Sequence, residues 1–146
     1  MIPLRSFFRH RWSERFLLLE ALFWLCVARL AVLSVSFRHI APHLGRRMAE
    51  SAAQEQADAR ETVRRISWAL TRAGHHAPWE CNCLTSALAG KAMLRIRRIH
   101  STLYLGVADS EEEGGLHAHA WLRSGDVILS GAHEKDSFTV VSTFAD

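Results

Sequence analysis

Two side chains in this sequence have the types and setting for nucleophilic chemistry, Cys83 and His119. Cys83 lies in Trp79-Glu80-Cys81-Asn82-Cys83-Leu84-Thr85-Ser86-Ala87-Leu88-Ala89. The turn-like run Gly74-His75-His76-Ala77-Pro78 precedes it, and strong helix formers follow to about Arg98. The thiol therefore opens a predicted helix, where unpaired backbone N–H groups and the helix dipole favour an anion. The thiolate is the nucleophilic form of cysteine. Downstream, Leu116-His117-Ala118-His119-Ala120-Trp121 reads as a strand that can deliver an imidazole base.

The neighbouring candidates divide by position. Cys81 and Cys83 are two apart, so only one occupies the helix mouth; Cys83 directly precedes the apolar Leu84-Ala87-Leu88 face and is the expected nucleophile. Cys26 reads as a small buried hydrophobe. His117 and His119 alternate with alanines and share a strand face. Trp121 can pack behind the His119 ring and fix it, which makes His119 the expected base. His117, Trp121 and Trp79 are the candidates for contacting substrate, and His75, His76 and His133 read as surface residues. A third, acidic member would orient the imidazole. Asp126, in the adjoining hairpin, is the nearest, with Glu134 and Asp136 behind it. Backbone N–H groups at the helix start would hold an oxyanion. The same residues admit a rival: Cys81, Cys83, His117 and His119 as a zinc set in a non-catalytic or scaffold protein.

Those side chains need positioning elements. At 146 residues, 49% hydrophobic and 23% charged, the chain suits one globular domain, 1–146. Three cysteines make no disulfide framework, which fits a reducing compartment. A net charge of +3 is too mild to argue for nucleic acid. The positive charge is uneven, with Arg5, Arg9, Arg11, Arg15, Arg29, Arg38, Arg46 and Arg47 against Glu14 and Glu20 up to position 47. Residues 1–12 should fray, and Ser13 should cap a helix running to Leu33. That run has the arginine-rich front of a signal peptide or membrane anchor. Glu20 and Arg29 interrupt it, however, leaving Ala21–Ala28 too short to span a bilayer, so a buried or partner-facing helix is expected and membrane association is the lesser reading. Residues 34–47, with Pro42 and Gly45, read as a connector. A capping box at Ser51-Ala52-Ala53-Gln54 starts a helix over 52–71, whose Ala59, Val63, Ile66, Ala69 and Leu70 recur at helical spacing. Strands are expected over 101–107, 117–123, 127–129 and 137–144, with an acidic loop at 109–115. Helices followed by antiparallel strands give an α+β fold: a helical front half, 1–73, and a core, 79–146, with the cysteine helix on a small antiparallel sheet. No Gly-rich phosphate loop is present, and no cofactor is implied.

Cys83-Leu84-x-x-Ala87-Leu88-Ala89, Met93-Leu94-Arg95, Ser101 to Val107, Ala118-His119-Ala120-Trp121-Leu122 and Phe138-Thr139-Val140-Val141, in that order, resemble the transglutaminase-like B proteins of lasso peptide biosynthesis. The leucine-rich front resembles that of the stand-alone members. The resemblance implies a transglutaminase- or papain-like core and a cysteine peptidase that cuts the leader from a ribosomally made precursor. It places the nucleophile on Cys83 and the base on His119, and it leaves Asp126 as the nearby acid. It further implies a separate ATP-dependent lasso cyclase and, since nothing in 1–72 resembles a winged-helix-like module, a separate leader-recognition protein. The apolar 16–33 helix is a candidate contact for that partner.

Overall fold

Helical spacing in the first half and alternation in the second produce two layers. The computed structural model describes residues 4–51, 59–110, 115–131 and 138–146. Its elements run α1 (Leu4–Ser34), α2 (Phe37–Ile40), a 3₁₀ turn (Ala41–His43), β1 (Arg46–Arg47), α3 (Ala59–His76), α4 (Cys83–Ile96), β2 (Thr102–Ser110), β3 (Gly115–Ser124), β4 (Val127–Ser130) and β5 (Thr139–Ala145). The strands form one antiparallel sheet in the order β1-β5-β2-β3-β4. This is the α+β architecture expected, with α4 packed on the sheet.

The core lies between the helices and one sheet face. α1 contributes Leu17, Ala21, Leu25 and Ala28; α3 contributes Val63, Ile66, Ala69 and Leu70; α4 contributes Ala87, Met93 and Leu94. From the sheet come Leu103, Ala120, Leu122, Leu129 and Phe144. The close approach of α4 to β3 depends on Gly90, where a Cβ would stand 2.7 Å from Leu122 Cδ2 and 2.9 Å from Leu70 Cδ1. Alternation along β3 then fixes the rest. Because Ala120 and Leu122 face the helices, His119 and Trp121 face the other way. There Trp121 stacks on Tyr104 at 5.4 Å, and Arg123 Nε donates to the Tyr104 hydroxyl at 2.9 Å.

Some boundaries differ from expectation, for identifiable reasons. The backbone is already helical from Leu4, so Ser13 lies inside α1 and caps nothing. Its hydroxyl instead accepts from Arg65 Nη2 at 3.2 Å, which ties α1 to α3. α3 continues through Gly74 to His76, and the Ala77 N–H still bonds the Ala73 carbonyl. The turn therefore begins where Pro78 removes the next donor. The connector at 34–47 contains α2, the 3₁₀ turn and β1, a strand whose pairing partner, β5, is remote in sequence. The expected capping box and acidic loop lie largely outside the described residues.

Candidate active site

Cys83 is the first residue of α4, as the sequence implies. Asn82 adopts an extended backbone (φ −74°, ψ 177°) and is the N-cap, its Oδ1 accepting from Thr85 N at 2.9 Å. The Ser86 N–H bonds the Asn82 carbonyl at 3.0 Å. The N–H groups of Cys83 and Leu84 have no intrahelical acceptor by geometry and can serve an oxyanion. Cys83, Cys81, Asn82 and Ser86 line a cavity of about 290 Å³, together with Leu70, Thr71, Gly74 and His75 from the end of α3 and Leu129, Ser130 and Gly131 from the end of β4. Cys81 lies in the same wall, its thiol 3.9 Å from the Trp79 carbonyl. Burial pushes the Cys81 thiol up, more than that contact and the Arg29 charge pull it down.

His119 is held firmly. Its Nε2 lies 2.9 Å from the Gly131 carbonyl oxygen. A carbonyl only accepts, so Nε2 carries the proton and Nδ1 is the nitrogen able to act as base. The ring is stacked on Phe138 at 4.9 Å and on Trp121 at 5.9 Å. Gly131 is the residue shared between the two halves of the site: it lines the Cys83 cavity and holds the imidazole. Its φ of +74° requires glycine, and a Cβ there would press on His119 Nε2 at 3.0 Å. Among the described residues no hydrogen bond joins the Cys83 thiol to His119. The sulfur opens a helix on one sheet face, whereas the ring belongs to the other.

The remaining candidates are placed less favourably. Asp126 does not orient His119. It occupies the two-residue turn after Ser124, which pairs with Val127, and lies 3.4 Å from Arg60 Nη2. Five residues of strand separate Ser124 from His119, roughly 17 Å. The Gly131 carbonyl does the orienting that the sequence reading assigned to a carboxylate. Glu134 and Asp136 lie outside the described residues. Trp121 is 5% exposed, closed in by Tyr104 and His119, so it supports the imidazole and has no surface for substrate. His117 is half-buried beside Phe138 at 5.8 Å. Trp79 is half-buried against the core, with its indole N–H buried and unpaired among the described residues. No group of three or more His, Cys, Asp or Glu among the described residues could hold a metal ion. The zinc arrangement fails because its thiols and imidazoles are on different sheet faces.

His75 is the functional candidate that the sequence reading passed over. It is exposed at the surface, as expected, but α3 runs past the expected end at 71 and brings it to the rim of the cavity. The missed signal was the helical register: His75 lies four residues beyond Thr71, which lines the same cavity.

No curated protein and no solved structure matches the chain. A family profile described as the Transglutaminase-like superfamily matches residues 26–143, which takes in Cys83, His119, Gly131, β1 to β4 and most of β5. A thiol opening a helix packed on an antiparallel sheet, with a histidine strand within that sheet, is therefore not an isolated likeness: the chain belongs to the transglutaminase-like superfamily.

Proposed function

We propose that this chain is a cysteine peptidase that removes the leader from a ribosomally synthesised lasso-type precursor. Superfamily membership supports the broader class, cysteine-nucleophile acyl chemistry. The single observation that carries the reading is Cys83 opening α4 into a cavity beside two N–H groups that have no intrahelical acceptor. The order of motifs around it supports the narrower assignment. His119 Nδ1 takes the proton from the Cys83 thiol, and the thiolate attacks the carbonyl carbon of the leader–core bond. The tetrahedral oxyanion is held by the Cys83 and Leu84 N–H groups. His119 returns its proton to the departing core amine, leaving an acyl-thioester that water hydrolyses to free leader and thiol. The chemistry needs sulfur and imidazole within hydrogen-bond reach, so on substrate binding the His119 ring has to leave the Gly131 carbonyl and swing past the strand edge toward the Cys83 cavity, which Gly131 also lines. Leader recognition is assigned to a separate winged-helix-like protein, and closure of the released core to a separate ATP-dependent cyclase, in a reducing bacterial cytoplasm.

A candidate precursor is incubated with this chain and its recognition partner and read by mass spectrometry. Free leader is expected with the native chain and none with Cys83→Ala; cleavage that persists in that variant overturns the nucleophile. A scaffold reading instead expects both Cys83→Ala and His119→Ala to remain functional. A second assignment of the base has its own observation, since His75 shares the cavity wall with Cys83 and His119 does not. His119→Ala should lower cleavage by about 10²–10⁴-fold, the usual worth of a general base. His75→Ala should leave it within a few-fold. The opposite ranking would transfer the role of base to His75.

A further inference from the structure

The outer face of α1 is the feature least explained by the chemistry above. Its inner face is in the core, while Phe16, Leu19, Phe23, Val27, Leu30 and Leu33 point outward, five of them 58–68% exposed and Val27 37%. Their spacing of three and four places them on one stripe, roughly 26 Å long. Ser13–Ser34 is long and apolar enough to cross a membrane, yet only 22% of that window is buried within the fold. It is therefore not simply a core helix.

The two charges that interrupt the run do not interrupt the stripe. Glu20 turns toward the domain, where Arg97 grips both its oxygens at 2.8 and 2.6 Å, and Arg29 reaches Glu80 at 3.9 Å. The outer stripe between Phe16 and Leu33 is left without a charged side chain. Basic residues flank it at both ends: Arg5, Arg9, Arg11 and Arg15 before it, and Arg38, Arg46 and Arg47 after it. The only acids up to position 47 are Glu14 and the paired Glu20. A protein partner's groove would call for polar groups at its rim to fix register. Hydrocarbon asks for a wholly apolar face, and anionic headgroups ask for arginines at its ends.

We propose that α1 is an interfacial anchor that seats this domain on an anionic lipid bilayer. The helix lies in the membrane plane with its outer stripe sunk to the acyl boundary. It does not span, because its inner face is joined to α3 and α4 by core packing and by the Glu20–Arg97 pair, and spanning would drag those charges into hydrocarbon. The reading is independent of the Cys83 chemistry.

The test is flotation of the full purified chain with vesicles of phosphatidylcholine containing 30% phosphatidylglycerol, and with phosphatidylcholine alone. Binding is expected to the anionic vesicles, weakening about fivefold for each arginine among Arg11 and Arg15 changed to serine. Phe23→Glu with Leu30→Glu should weaken it by about a hundredfold or more. Circular dichroism and thermal melting of that variant should stay unchanged, because both residues are exposed. Alkaline carbonate should strip the native chain from the vesicles. Failure of the native chain to bind, or undiminished binding by the folded double variant, overturns the proposal. Resistance to carbonate overturns the in-plane geometry in favour of a span. Vesicle-free dimerisation abolished by the same variant, without lipid binding, assigns the stripe to a second copy and also overturns it.

Discussion

The two ends of α4 are built in opposite ways. Near its C-terminal end, Lys91 is 2% exposed, and its ammonium donates to the Ser101 carbonyl and hydroxyl at 3.0 and 3.1 Å, to the Phe144 carbonyl at 3.4 Å and to Asp146 Oδ2 at 3.2 Å. Arg95 Nη2 meets the other oxygen of Asp146 at 2.6 Å, and Arg95 also donates to the His43 carbonyl. Helix, β2, β5 and the 3₁₀ turn are thereby fastened at one point. At the N-terminal end a single asparagine cap holds the helix, and a thiol faces an open cavity. An acyl-transfer site needs unpaired N–H groups and room for substrate, so it cannot be satisfied by the protein itself. The difference teaches that anchorage sits where the chemistry is not.

The sharpest way to break the comparison is at the open end. Cys83→Ala should abolish leader cleavage in the mass-spectrometric assay, a loss of 10³-fold or more, while moving the urea midpoint little, because a half-exposed thiol at a helix mouth contributes little packing. Lys91→Met does the reverse. It keeps apolar volume but leaves the Ser101 and Phe144 carbonyls and one oxygen of Asp146 without their buried donor, while Arg95 still holds the other oxygen, at a cost of about 1–3 kcal/mol in urea unfolding. Cleavage by the remaining folded fraction should be near normal. A Cys83 variant that unfolds, or a Lys91 variant that stays stable but cannot cleave, would show that the two ends are not separable.

Acid should loosen the fastened end first. Burial alone would raise the Asp146 pKa, but the Arg95 hydrogen bonds and the Lys91 and Arg95 charges outweigh it, so the carboxyl titrates below its ordinary value. A carboxyl depressed in the fold contributes stability that is complete above its unfolded value near 4, and that is lost as pH falls through the lower folded value. The unfolding free energy should therefore drop on acidification below about pH 4, and Asp146→Asn should flatten that part of the profile. Lys91 behaves oppositely. Burial lowers its pKa despite Asp146, so its charged form is a cost that is relieved as pH rises toward the unfolded value near 10.4.

What the sequence disclosed follows the same division. The open end was legible because it is local: Cys83 begins the helix, and alternation places His117, His119 and Trp121 on one face. The site's closure was not. Which face of β3 meets α4 depends on Gly90 contacting Leu122, a contact between elements that periodicity cannot orient. Asp126 is near His119 in sequence but not in space, because the strand extends away from its turn. The true orienting group is a main-chain carbonyl, which every residue possesses and no motif marks. The fastened end was wholly hidden, since Lys91 and Asp146 are 55 residues apart and a buried lysine is indistinguishable by type from a solvated one. For α1 the charges were read as breaks in a linear run, whereas the helix turns them inward.

The smallest expected effect bears on the side-chain cap of the open end. Asn82→Ala removes the side-chain acceptor for the Thr85 N–H and should cost about 1 kcal/mol in urea unfolding, the usual worth of an N-cap. Asn82→Asp keeps the acceptor and adds a negative charge beside the helix N-terminus, so its stability should match the native chain's or slightly exceed it. The two variants part in function. The same added charge lies one residue from the sulfur, where it repels both the thiolate and the oxyanion that the Cys83 and Leu84 N–H groups are to hold. Asn82→Asp should therefore cleave more slowly than Asn82→Ala although it is the more stable of the two. If cleavage instead followed stability across the pair, the N-terminal end of α4 would be serving the fold alone, and the contrast between its two ends would vanish.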